Sequence, residues 1–162
     1  MRAVTWKKGI RFEREASFRL EAPKTAVFPL LCPVLEEKWL PLWSCTMVYS
    51  ESGVAERDAV FTTREGHFMK ATWTLITHEP DELVEYLIVG SKGMIVRLSI
   101  ALRAVDGDRG TEVTWTMRFT LSSKAGAAIA HHGFGEAKFA DMIERRRLQL
   151  AHYLRTGTML EA

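Results

Sequence analysis

The chain has 162 residues, enough to bury a substantial core as one domain, which we expect to span residues 1–162. Its 47% hydrophobic and 26% charged residues are typical of a soluble globular protein. The formal net charge of +2 is small and the basic residues are scattered, so the sequence predicts no nucleic-acid partner.

The cysteines and the chain start restrict the protein class further. Cys32 and Cys45 form no CxxC pair and have no metal-ligand spacing around them, which favours two reduced thiols and no metal site. The first residues lack the apolar region of a signal peptide, and no apolar run approaches the roughly 18 residues needed to span a bilayer. We expect a cytoplasmic protein without integral membrane association and without a cofactor.

The first element is an amphipathic strand. Residues 10–20 alternate between apolar and polar side chains, with Arg14 as the one break, which predicts a β-strand with one buried face. The segment 21–43 follows and is rich in bulky apolar and aromatic residues. Pro29 and Pro33 lack the amide hydrogen that a longer helix needs, so we expect two short helices here, broken at Pro33.

Six further strand-like runs follow, at about 45–50, 58–64, 67–78, 83–89, 94–104 and 113–121. A tight turn at Glu65–Gly66 precedes the third of them. The last two runs alternate clearly, with bulky apolar residues on one face, as antiparallel strands with one wet and one dry face do.

A long helix is predicted at the end of the chain. The helical pattern runs from Glu136 to Arg155, about 30 Å at the rise of an α-helix. Gly133 and Gly135 allow a kink or a break just before it, and Gly157 is suited to end it.

Several short patterns together resemble a known superfamily. They are Ala22-Pro23-x-x-Ala26-Val27-Phe28, Glu36/Glu37-x-Trp39-Leu40-x-x-Trp43, Ala59-Val60-Phe61-Thr62, Thr72-Trp73-Thr74, Thr120-Leu121-Ser122 and Tyr153-Leu154-Arg155-x-Gly157. Over essentially its whole length the chain resembles the START-like superfamily, also called SRPBCC, and within it the bacterial polyketide cyclase/dehydrase-type proteins. The resemblance implies an α+β helix-grip fold. In that fold a curved antiparallel sheet of six to seven strands wraps around a long C-terminal helix, and two short helices follow the first strand. Members bind hydrophobic molecules in an internal cavity, and some catalyse cyclisation or dehydration there.

The apolar strand faces and the last helix supply the candidate ligand-binding residues. Ligand pockets are mostly apolar with a few polar anchors, but each of these side chains can equally serve as core packing. The candidates are Trp73, Leu98, Ile100, Trp115, Met117 and Phe119 on strands, Phe139 and Ile143 on the last helix, and Trp39 and Trp43 as part of a lid.

Two polar residues complete the candidate set. Arg146 falls within the apolar stripe of the last helix, whereas Arg145 points away from it. Arg146 is either an anchor for the acidic head of a ligand or an internal ion-pair partner. His132 lies near the same face if the helix is unbroken, where it could act as a general acid or base; the alternative is a surface histidine.

We therefore expect the protein to bind a hydrophobic small molecule, such as a lipid, a polyketide or an aromatic compound, in an internal cavity, as a carrier or sensor. The preference for a carrier rests on a cavity face with almost no ionisable pair, since Glu36, Glu37 and Lys38 are predicted to form a solvated edge. The alternative is a cyclase or dehydratase acting on a polyketide-like or aromatic substrate. A third hypothesis is an interaction module with a filled core.

Overall fold

The computed structural model describes residues 5, 7–64 and 70–161. Within these residues, seven strands form one antiparallel sheet with the spatial order β1-β7-β6-β5-β4-β3-β2. The strands are β1 (Ile10–Leu20), β2 (Cys45–Tyr49), β3 (Val60–Thr63), β4 (Ala71–Glu79), β5 (Leu83–Val89), β6 (Met94–Val105) and β7 (Gly110–Leu121). The predicted Glu65–Gly66 turn and the beginning of the third predicted run lie outside the described residues.

The segment after β1 forms short helices, as predicted. Helix α1 spans Lys24–Val27, a 3-10 turn spans Phe28–Leu31, and helix α2 spans Pro33–Glu36. The 3-10 turn was not foreseen. Pro29 lies in the first turn of the 3-10 helix, where the backbone has no partner for an amide hydrogen, so its absence costs nothing. Pro33 occupies the equivalent position in α2.

Two helices close the chain after β7. Helix α3 spans Lys124–Gly133 and helix α4 spans Glu136–Thr156, so of the two outcomes that Gly133 and Gly135 allow, a kink or a break, the structure has the break. Gly157 adopts a φ of 70°, and its N–H donates to the Tyr153 carbonyl at 2.7 Å, which ends α4 in a left-handed cap.

The first and last strands pair along their whole length. Ile10 lies opposite Leu121 at one end of the β1–β7 ladder, and Leu20 lies opposite Thr111 at the other. The β6–β7 hairpin continues the sheet, with Met94 opposite Leu121 at one end and Val105 opposite Gly110 at the other. Because β1 is far from β7 in sequence, this pairing brings the beginning and the end of the chain into one layer.

The dry face predicted from alternation is the inner face of this sheet. On β6 and β7 the buried side chains alternate with exposed or half-buried ones along each strand. Helix α4 buries Phe139, Ile143 and Leu150 in the same core. No described helix is both long enough and apolar enough to cross a membrane.

Candidate functional site

A cavity of about 410 Å³ lies between the inner face of the sheet, the segment after α2, and helices α3 and α4. A volume in this range suits a small organic molecule. The sheet contributes Phe61, Trp73, Tyr86, Leu98, Trp115 and Met117, while the two last helices and the residues between them contribute Gly133, Phe134, Lys138, Asp141, Met142, Arg145, Arg146 and Gln149. The remaining wall residues are Pro33, Glu36, Leu40, Pro41, Leu42 and Trp43.

Four aromatic rings form one connected wall of the cavity. Trp73 stacks on Phe61 with ring centroids 5.5 Å apart and meets Trp43 edge-on at 5.8 Å. The Tyr86 ring lies 5.9 Å from both Phe61 and Trp73 and is nearly perpendicular to each. Offset and edge-to-face contacts of this kind fix ring orientations, so the wall is a pre-formed aromatic surface.

Hydrogen bonds hold three of these rings in place. Trp43 Nε1 donates to the Pro33 carbonyl at 2.8 Å, and Trp73 Nε1 donates to Thr63 Oγ1 at 2.7 Å. Tyr86 Oη donates to the Leu31 carbonyl at 2.9 Å. The Pro33 and Leu31 carbonyls belong to the segment after β1, so these bonds tie the short helices to the aromatic wall. This segment closes one end of the cavity.

Tyr86 also separates two cavities. A second cavity of about 330 Å³ lies on its other side, between the short helices and the β4–β5 turn. Burial raises the pKa of the Tyr86 hydroxyl well above its usual value, and the nearby Glu36 carboxylate adds to this effect. Tyr86 is therefore a neutral donor at physiological pH.

The cavity wall contains several ionisable groups, so the expectation of a cavity face with almost no ionisable pair is wrong. Glu36 is buried, with 8% of its surface exposed, and lines the cavity, so its prediction as part of a solvated edge is wrong. Arg145 was predicted to point away but also lines the cavity. Lys138 and Asp141 lie in the part of the wall that α4 forms. The adjacent Glu37 is exposed, as expected.

Six of the twelve predicted ligand-binding residues line the cavity. They are Trp43, Trp73, Leu98, Trp115, Met117 and Arg146. Arg146 is half-buried on α4. Its two predicted roles, an anchor for an acidic head and an internal ion-pair partner, stay predictions.

The other six predicted residues lie away from the cavity surface. Five of them are buried in the surrounding core, namely Trp39, Ile100, Phe119, Phe139 and Ile143. His132 is exposed, and its Nε2 lies 3.2 Å from the Nζ of Lys138. The break at Gly133 to Gly135 removes the continuous helix on which the inward placement of His132 depended.

Sequence reasoning missed several wall residues, some of which left a signal. In the β5 run, strict alternation places Tyr86 on the same face as Val84 and Ile88. Gln149 lies three residues after Arg146 and therefore on a neighbouring part of the same helix face. Glu36 left no such signal, because a helix of four residues is too short to show a period.

No protein-family model and no curated protein sequence matches the chain, but solved structures do. Truncated norcoclaurine synthase from Thalictrum flavum has a TM-score of 0.68 at 11% identity, over 94% of this chain and 98% of that one. The Mll3558 protein from Rhizobium loti has a TM-score of 0.60 at 13% identity, over 90% and 99% of the two chains. Ara h 8.0201 has a TM-score of 0.61 at 14% identity, over the same shares.

Identities this low show a common fold. The chain has the helix-grip fold that the sequence analysis predicted, and it shares this fold with these solved structures. The seven-stranded sheet, the short helices after β1 and the long C-terminal helix are the parts that correspond. Function has to be argued from the cavity itself.

Proposed function

We propose that the protein binds a hydrophobic small molecule, with an aromatic compound as the best fit, in the 410 Å³ cavity and acts as a carrier or sensor. The observation that carries this proposal is the connected aromatic wall of Trp43, Phe61, Trp73 and Tyr86. Fixed rings beside an open volume offer both a face and an edge to an incoming aromatic ring.

A fluorescent apolar probe tests the proposal. N-phenyl-1-naphthylamine is dim in water and bright in an apolar site, so titration with it should give a saturable increase in fluorescence. Leu98→Trp should abolish most of this increase, because Leu98 is buried in the cavity wall and the larger side chain would occupy the volume.

The matched control is Ile95→Trp, on the same strand but on the outer face, where Ile95 is 41% exposed. This variant should bind the probe as the unaltered protein does. Equal binding by both variants, or no saturable signal at all, would refute the proposal. Native mass spectrometry of the freshly purified protein should reveal any co-purified ligand by its added mass.

A cyclase or dehydratase acting on a polyketide-like or aromatic substrate is the second candidate. It is favoured by Glu36, because a carboxylate in a largely apolar wall can serve as a general acid or base. Norcoclaurine synthase, which shares the fold, has been solved in complex with dopamine and hydroxybenzaldehyde. If the protein is an enzyme, Glu36→Gln should lose turnover and still bind the apolar probe. A loss of turnover in His132→Ala alone would instead point to a site outside the cavity.

A further inference from the structure

The indole N–H of Trp115 is a buried donor without a hydrogen-bond partner. Trp115 is 6% exposed, and an indole nitrogen can donate but cannot accept. The other tryptophans among the described residues are satisfied: Trp39 donates to the Leu30 carbonyl, Trp43 to the Pro33 carbonyl and Trp73 to Thr63. Trp115 is therefore an exception that needs a physical explanation.

A second unpaired polar atom belongs to a residue that lines the same cavity. The Oε1 of Gln149 on α4 is buried and has no partner. Native proteins pair the large majority of their buried polar side-chain atoms. Two such exceptions, one a donor and one an acceptor, in residues that line one cavity are explained if a bound molecule supplies the missing partners.

The chemistry of the two atoms restricts that molecule. Trp115 needs an acceptor, and Gln149 Oε1 needs a donor. A hydroxyl group supplies both, because its oxygen accepts while its hydrogen is donated. A carboxylate offers acceptors only, and a hydrocarbon offers neither.

The wall has to yield slightly for the ligand to reach these atoms, since almost no surface of either is exposed. Met117 and Met142 line the same cavity, and methionine is flexible enough to adjust its rotamer around a ligand.

We infer that the ligand is an aromatic molecule bearing a hydroxyl group, which accepts from Trp115 Nε1 and donates to Gln149 Oε1. This inference rests on the proposed ligand-binding function and specifies its substrate class.

The hydroxyl assignment is tested with naphthalene derivatives that differ in one group, by measuring how well each displaces N-phenyl-1-naphthylamine from the cavity. We expect 2-naphthol to bind at least about tenfold more tightly than naphthalene, because its hydroxyl forms two hydrogen bonds and each net hydrogen bond is worth up to about tenfold in affinity. Trp115→Phe keeps an aromatic ring but removes the N–H, so it should weaken 2-naphthol about tenfold and naphthalene much less.

Two further variants separate hydrogen bonding from packing. Trp73→Phe is the control for a lost indole, because its N–H is already paired with Thr63, and it should weaken both probes by a similar factor. Gln149→Met should weaken 2-naphthol but not 2-methoxynaphthalene, whose oxygen accepts but cannot donate.

The outcomes distinguish this inference from the function on which it rests. If naphthalene and 2-naphthol displace the probe equally well, or if Trp115→Phe weakens both equally, the hydroxyl assignment is wrong while the binding function stands. If no apolar probe binds, the binding function itself is wrong. Should Trp115→Phe not fold, as judged by circular dichroism, the Gln149→Met comparison decides alone.

Discussion

At the scale of single residues, the break in the first strand has a structural cause. Arg14 interrupts the alternation of β1, and its side chain is half-buried on the inner side rather than turned to solvent. Its Nε donates to the Phe134 carbonyl at 3.0 Å, and its guanidinium lies 4.9 Å from the centre of the Phe12 ring. Phe134 follows the last turn of α3, so a cation on the inner side of β1 satisfies a carbonyl at the end of that helix.

A pH prediction concerns the thiol of Cys45. Burial raises the pKa of Cys45 from 9.0 to about 11, and the carboxylates of Glu37 and Glu36 add to the effect. We expect iodoacetamide to label Cys45 at pH 8 about tenfold to a hundredfold more slowly than free cysteine. The thiolate fraction falls about a hundredfold, and the greater nucleophilicity of a weaker acid recovers part of that loss.

Labelling rates measured against pH in Cys32→Ser, which leaves one thiol, check this prediction. The rate should keep rising up to about pH 11. Glu37→Gln should speed the labelling at pH 8, because it removes a negative charge that disfavours the thiolate. Labelling at the rate of free cysteine would contradict the burial seen here.

At the scale of elements, hydrogen bonds of Ser123 connect the beginning of helix α3 to the β5–β6 turn. Ser123 Oγ accepts from the Gly126 N–H at 3.0 Å and donates to the Lys92 carbonyl at 2.6 Å. The same contact brings Gly126 so close to the turn that an added Cβ would lie 2.5 Å from the Lys92 oxygen. This position requires glycine because the Lys92 backbone lies too close for a side chain, although glycine is otherwise unfavourable inside a helix.

Gly126→Ala therefore sets two effects against each other. Helix propensity alone would raise the free energy of unfolding by up to about 1 kcal/mol. The clash with the Lys92 backbone should outweigh this gain, so we expect a net loss of about 1 kcal/mol or more in a denaturant titration.

Ala125→Gly measures the effect of helix propensity alone on the free energy of unfolding, because Ala125 is exposed in the same turn of α3. It should lose up to about 1 kcal/mol with no clash involved. A Gly126→Ala variant more stable than the unaltered protein would show that the turn moves away at little cost.

At the scale of the whole molecule, the pairing of β1 with β7 and the placement of α4 leave space between the sheet and the helices. The space is lined by residues from β3 to β7, the segment after α2, and both last helices. A ligand that fills this space would contact the sheet, the segment after α2 and both last helices. Binding should therefore be coupled to the stability of the complete fold.

Ligand should raise the melting temperature accordingly. At a probe concentration a hundred times its dissociation constant, binding to the folded state adds about 2.7 kcal/mol to the free energy of unfolding. For a domain of this size that corresponds to a rise of about 5–10 °C in a thermal melt.

Leu98→Trp, whose cavity is blocked, should show no rise at the same probe concentration. A fluorescence signal without a shift in melting temperature would indicate that the probe binds elsewhere or binds the unfolded chain equally well.

The predictable part of the site followed from local patterns. Trp73, Leu98, Trp115 and Met117 were found because alternation along a strand places every second side chain on the inner face. Glu36 was misplaced because its burial depends on the sheet and the helices that surround it. The inward placement of His132, one of its two predicted positions, required an unbroken helix, whereas α3 ends at Gly133 and α4 begins at Glu136.

The sequence by itself determined the elements and their dry faces, because strand alternation, proline positions and glycine breaks act over a few neighbouring residues. It also indicated the helix-grip fold by resemblance. Only the tertiary structure decided which dry-face residues line open space and which are packed, since Ile100 and Leu98 have the same pattern but only Leu98 reaches the cavity. It alone decided that, among the tryptophans of the described residues, Trp115 has no hydrogen-bond partner, because such partners come from contacts between residues far apart in the chain.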